Sequence, residues 1–262
     1  MRTNSCISLY SRVSNNHLLG MSEIRKVKCW ASSLKNCKDD ITREHYISDG
    51  LFSKKSVVVS GFEWCRGKPQ KIGLSSAVSK ILCSRHNNEL SDYDSEAKKI
   101  TDFLQHNLKE NPKMNDILEV NGHKFEKWGL KTFFNLSVLG AVDQITHERW
   151  FPTEEFVRYI YENKPVPDGT GLYFIDAKIG SDSYGEFVAW NAVRNKADND
   201  KLIGIKISIR GLEFVFNIYP VVPGDSIEFK DTDSSNPKIM YRPPQVKFES
   251  ESGGTKIIKL IW

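Results

Sequence analysis

Apolar residues recur at helical spacing through the middle of the chain and at every second position towards its end. Ala97, Ile100, Phe103 and Leu104 follow an i, i+3, i+4 rhythm, and Ser91 and Asp92 supply a cap, so a helix is expected from about residue 91. Asn111-Pro112 stops it, and Val120-Asn121-Gly122-His123 reads as a turn. A long helix is expected over 124–139, burying Phe125, Trp128, Phe133, Leu136 and Leu139. Pro152-Thr153-Glu154-Glu155 opens another, with Phe156, Val157, Ile160 and Tyr161 on its apolar face and acidic residues at its positive end. Two prolines and two glycines between residues 163 and 171 end it. After Gly171 the period becomes 2, which predicts strands over 172–175, 186–193, 202–209, 213–219 and 256–262, with Arg210-Gly211 as a tight hairpin. The expected arrangement is two helices packed on an antiparallel sheet of about five strands.

The N-terminal part is less periodic. Residues 22–40 form a basic loop or knuckle that holds Cys29 and Cys37. A short strand is expected over 42–47, broken by Ser48-Asp49-Gly50, and a second at Val57-Val58-Val59. Gly61 and Arg66-Gly67-Lys68-Pro69 punctuate the next stretch, 72–82 is mixed in character, and the pattern turns helical from Ser84. Residues 1–20 are rich in Ser and Asn and read as a disordered extension, with Met21 as a plausible true start. The expected division is therefore 1–20, a first domain over 21–110, and an α+β domain over 111–262. Trp128 and its aromatic neighbours sit at helical spacing, which favours core packing over a base-stacking platform.

Charge sharpens this division. Residues 1–99 hold 17 Lys and Arg against 10 Asp and Glu, a net of +7, whereas the remainder is −3. A basic N-terminal half suits a polyanion, although a solvated surface has the same composition. No run of eighteen apolar residues exists, so a membrane span is not expected, and the first twenty residues lack the apolar stretch of a signal peptide. Five cysteines, an odd number, argue against a disulfide framework and for a reducing, cytoplasmic setting.

Four of the five cysteines (Cys29, Cys37, Cys65 and Cys83) fall between Met21 and residue 100. Structural zinc takes four soft or borderline ligands, usually as two pairs. Cys83-x-x-His86 is one pair; Cys29 and Cys37, seven residues apart, make the other, with Cys65 as the alternative to Cys29. The bland alternative is a buried small thiol at Cys83 and a surface histidine at His86. Between the pairs stands Glu44-His45.

Thr42-Arg43-Glu44-His45-Tyr46-Ile47, followed by Ile81-Leu82-Cys83-Ser84-Arg85-His86-Asn87-Asn88, resembles the zinc-bearing HNH endonucleases over residues 29–97. The resemblance implies an N-terminal ββα-metal zinc finger followed by a helical segment and the antiparallel sheet domain. It implies structural zinc on Cys29, Cys37, Cys83 and His86, and His45 as the general base. It also implies a catalytic divalent cation such as Mg²⁺ on Glu44 and Asn87, with Asn88 as the alternative. Three positions depart from the family pattern: the wide Cys29–Cys37 spacing, Ser48 where a proline is usual, and Ser76 or Ser79 where the middle asparagine stands. The expected function is DNA cleavage at phosphodiester bonds, in restriction or phage defence by analogy. The rival is a non-catalytic zinc finger that binds nucleic acid or a partner. A protein partner or a second copy would use the C-terminal domain.

Overall fold

The period-2 segments of the C-terminal half do form strands, but the sheet they build is wider than expected. The computed structural model describes residues 29–38, 40–65, 68–107, 116–142, 147, 149–162, 164–176, 186–195, 198–219, 238–249 and 255–262. The extension over 1–20, the Met21 start, Arg66-Gly67 and the Asn111-Pro112 stop lie outside these residues.

Among the described residues, twelve strands and four helices alternate in mixed α+β order, with mostly antiparallel pairing. In the first part they are β1 (Ile41–His45), β2 (Ser56–Ser60), β3 (Gln70–Gly73), β4 (Val78–Cys83), α1 (Ser84–Asn88) and α2 (Ser91–Asn107). Next come β5 (Asp116–Asn121), α3 (Gly122–Val138), α4 (Glu154–Tyr161), β6 (Gly171–Asp176), β7 (Phe187–Asn195), β8 (Lys201–Ile209) and β9 (Leu212–Asn217). The chain closes with β10 (Lys238–Tyr241), β11 (Gln245–Glu249) and β12 (Thr255–Ile261).

The main sheet has seven strands in the order β10-β6-β9-β8-β7-β2-β3, in place of about five. Its last two strands come from the N-terminal segment: β2 runs parallel to β7, with Val59 beside Val188. Val57 and Val59 are buried there, and β2 is paired on both edges, antiparallel to β3 and parallel to β7. The expected strand at the C-terminus exists but leaves the main sheet. As β12 it lies between β11 and β5 in a separate three-stranded sheet, antiparallel to the first and parallel to the second. The expected turn at 120–123 is corrected in the same way. Val120 and Asn121 end β5, and α3 starts at once, with the Asn121 side chain accepting from the Lys124 amide.

Arg210-Gly211 makes the expected hairpin between β8 and β9. Both residues have positive φ (49° and 89°), as a two-residue turn matched to the strand twist requires. Helix α3 lies against β6 and β9 and is buried on every side, Trp128 included. Phe125 stacks on Trp128 at 5.4 Å and meets Phe214 edge-on at 5.0 Å. Where α3 comes closest to the sheet it carries Gly129, and a Cβ there would fall within the ring of Phe216. Gly129→Ala should therefore destabilise the protein by about 1–3 kcal/mol, despite alanine's better helix propensity, as a urea midpoint will show.

The remaining elements place the site. Strands β1 and β4 form a two-stranded antiparallel sheet that runs directly into α1, and β1 lies across from α3. Tyr93 of α2 donates its hydroxyl to the Ile160 carbonyl of α4, so helices from both sides of residue 110 enclose the same corner.

Candidate metal centre and adjoining cleft

Four side chains converge where β4 turns into α1. Cys83 is the N-cap of α1 and His86 lies in its first turn, so the Cys-x-x-His spacing places both donors on one side of that turn. The other two come from the loop ahead of β1. The Trp30 amide donates to the Ile81 carbonyl, which fixes Cys29 beside β4. A 3₁₀ turn (Ser32–Leu34) and a left-handed Lys35 (φ 57°) then bring the chain back to Cys37. The wide spacing of this pair is thus the length of a reversing loop.

His86 Nδ1 faces all three sulfurs, 3.3 Å from Cys29, 3.6 Å from Cys37 and 3.2 Å from Cys83. The four donor atoms all lie within 4.8 Å of one another. A zinc tetrahedron with ordinary bond lengths has edges of about 3.5–3.8 Å, so the cluster needs only small adjustments to close on an ion. The other ring nitrogen of His86, Nε2, pairs with Asn36 Oδ1 at 2.8 Å, which selects the tautomer whose Nδ1 lone pair points at the sulfurs. Burial lowers the His86 pKa, so the ring is neutral, as a ligand must be. Burial pushes the Cys29 thiol up to about 12 and also raises Cys37. Burial raises Cys83 too, but amide donors from His86 and Lys38 and its thiol neighbours outweigh it and lower the pKa overall. The Cys₃His group can hold a metal ion such as zinc, and the second-nitrogen bond to Asn36 is what such a site uses to orient its histidine. Cys65 stands apart, its sulfur directed at the Val59 carbonyl.

Aromatic side chains pack around the group. Tyr161 of α4 stands 4.8 Å from the His86 ring and donates its hydroxyl to the His86 carbonyl. Trp30 packs on Phe134 and Tyr161, and its indole donates to Asn135 Oδ1. The Asn135 amide nitrogen in turn reaches Glu44 Oε1 and the His45 carbonyl, both at 3.2 Å. One carboxamide from α3 thereby ties the cysteine loop to β1.

Next to the cluster opens a polar cleft of about 440 Å³ that contains His45, Asn87 and Asn88. His45 ends β1 with its side chain partly exposed, and its Nε2 lies 3.9 Å from Asp49 Oδ2. Asn87 donates from Nδ2 to Thr42 Oγ1 (3.1 Å) and to the Arg43 carbonyl (3.3 Å), and among the described residues its Oδ1 accepts no hydrogen bond. Asn88 is exposed. Ser76 donates to the Gly73 carbonyl and braces the turn before β4, while Ser79 sits opposite Glu44.

Glu44 is placed differently from a free ligand. It is buried, and its Oε1 lies 2.9 Å from Lys131 Nζ on α3. The same ammonium is 2.7 Å from Asp94 Oδ1, which also accepts from Ser48. Ser48 receives the Trp128 indole N–H, so the residue standing where proline is usual is a hydrogen-bond relay. Burial alone would depress the Lys131 pKa, but the charges of Glu44 and Asp94 outweigh it and hold the pKa above the ordinary lysine value. Lys131, Asp94 and Asn135 carry no motif, and only the fold brings them to Glu44.

No helix among the described residues is long and apolar enough to cross a membrane. No protein-family model matches the chain, and neither a curated protein nor a solved structure does.

Proposed function

We propose that the chain is a metal-dependent DNA endonuclease of HNH type, with structural zinc in the Cys₃His group. The supporting observation is that His45 and Asn87, far apart in sequence, open on one polar cleft beside that group. His45 takes the proton from a water whose oxygen bonds to phosphorus while the bond to the 3′ oxygen breaks. Asp49 Oδ2 lies 3.9 Å from His45 Nε2 at the same cleft. The released 3′ oxygen takes its proton from solvent. Asn87 locks the end of β1 through Thr42 and Arg43, and so holds His45 at the cleft. Glu44 and Asn87 offer the hard oxygen donors Mg²⁺ prefers, and a cation held there would neutralise charge on the phosphoryl oxygens and the leaving oxygen.

A second reading is favoured by one contact. Lys131 already neutralises part of the Glu44 charge, and a non-catalytic zinc protein that binds nucleic acid would have no use for a free carboxylate. Plasmid nicking with added Mg²⁺ separates the two. His45→Ala should cut about 100- to 10,000-fold more slowly while keeping its zinc and its melting temperature, because general-base catalysis is typically worth that much. Equal nicking by the variant and the parent protein would remove His45 from the mechanism. Loss of zinc in the variant would make His45 a structural residue.

A further inference from the structure

We propose that Arg43 and Lys80 form a docking site for two phosphates of a duplex DNA backbone, on the outer face of the β1–β4 sheet. This deepens the nuclease reading and rests on it. The two residues are direct cross-strand partners, and both are exposed. Among the described residues neither forms an ion pair with a carboxylate. Like charges directly opposite each other on neighbouring strands repel and cost stability.

Elsewhere the same molecule avoids that cost. On the β5–β12 ladder Lys256 faces Asp116 at 2.5 Å and Lys259 faces Glu119 at 3.8 Å, each in register. The Arg43–Lys80 pair is the opposite arrangement, and an anionic ligand would relieve it. Arg43 also lines the His45 cleft, and its carbonyl is held by Asn87, so a phosphate bound here lies next to the proposed catalytic residues. Both side chains are exposed on the strand face, which suits a polymer lying across it better than a small phosphate. Two long side chains rooted about 5 Å apart can splay to neighbouring phosphates of one strand. Arg43 adds a fixed donor fork and Lys80 a mobile point charge.

The test is salt-dependent binding of the full chain to a 20-base-pair duplex, in a His45→Ala background that binds without cutting. Adding Arg43→Gln and Lys80→Gln should make the slope of log affinity against log salt shallower by about 1.8, since each phosphate contact contributes about 0.9. Zinc content should be unchanged, and the melting temperature equal or higher because the repulsion is gone. Lys54→Gln with Lys55→Gln removes the same charge from another exposed stretch and should alter the slope far less. An unchanged slope in the first variant, or equal changes in both, overturns the docking site while leaving the nuclease reading standing. A slope that depends on Arg43 and Lys80 in a parent protein that never nicks DNA supports the docking site and overturns the nuclease reading. No duplex binding by the parent overturns both.

Discussion

Purified protein prepared without added zinc should carry one zinc per chain, and Cys83→Ser should carry none and lose most of its thermal stability. Cys83 does two things at once. It supplies a donor, and it is the residue at which β4 ends and α1 begins. Cys29, Cys83 and His86 are buried and Cys37 is exposed, so three of the four donors lie inside the fold and the fourth closes the site from the solvent side. Structural zinc contributes on the order of 10 kcal/mol to small sites, comparable to the whole stability of a domain. Chelation should act like the substitution, and more readily at low pH, because the thiols must release protons to bind. Metal analysis that finds no zinc, with Cys83→Ser melting like the parent, would remove the centre.

Lys131→Met should be the most damaging single change outside the metal group, at about 3 kcal/mol. It leaves Glu44 and Asp94 at the cleft floor without their shared counter-ion, and breaking one partner out of a buried pair typically costs about 3–5 kcal/mol. The lower end applies because Asp94 is partly exposed to solvent. A shifted urea midpoint at constant slope checks this, and adding Glu44→Gln should recover part of the loss. The same variant should bind Mg²⁺ more tightly, since the ammonium no longer competes for the two carboxylates. A Lys131→Met protein with unchanged stability would mean that the floor charges are already satisfied by water.

The metal group was legible because its ligands are rare residues with a local spacing at one end. Cys83-x-x-His86 marks a turn, and cysteines upstream need only a loop long enough to return. The middle of the cleft was not legible. Glu44 stands next to His45 in sequence and both line the cleft, but Glu44 is buried at its floor against Lys131 of α3 while His45 is partly exposed. Lys131 and Asn135 are polar residues in a helix whose apolar spacing alone defines it, and nothing local shows that they face a buried carboxylate. The sheet order was hidden for a similar reason. Val57-Val58-Val59 reads as a strand, but its parallel partner lies far along the chain, and parallel pairing leaves no hairpin signal.

That parallel pairing sets a schedule for synthesis. Strand β2 leaves the ribosome long before β7, its neighbour in the finished sheet. With roughly 130 residues between them and synthesis at about 5–20 residues per second, β2 waits about 6–25 s for its partner. Glu44 and Asp94 wait in the same way for Lys131, and His86 for the hydroxyl of Tyr161. A nascent chain therefore presents its cysteines to metal early but completes the cleft late. On the proposed nuclease reading, activity would begin only after Lys131 and Tyr161 have been made, and a product terminated before them would carry the metal ligands beside an incomplete cleft.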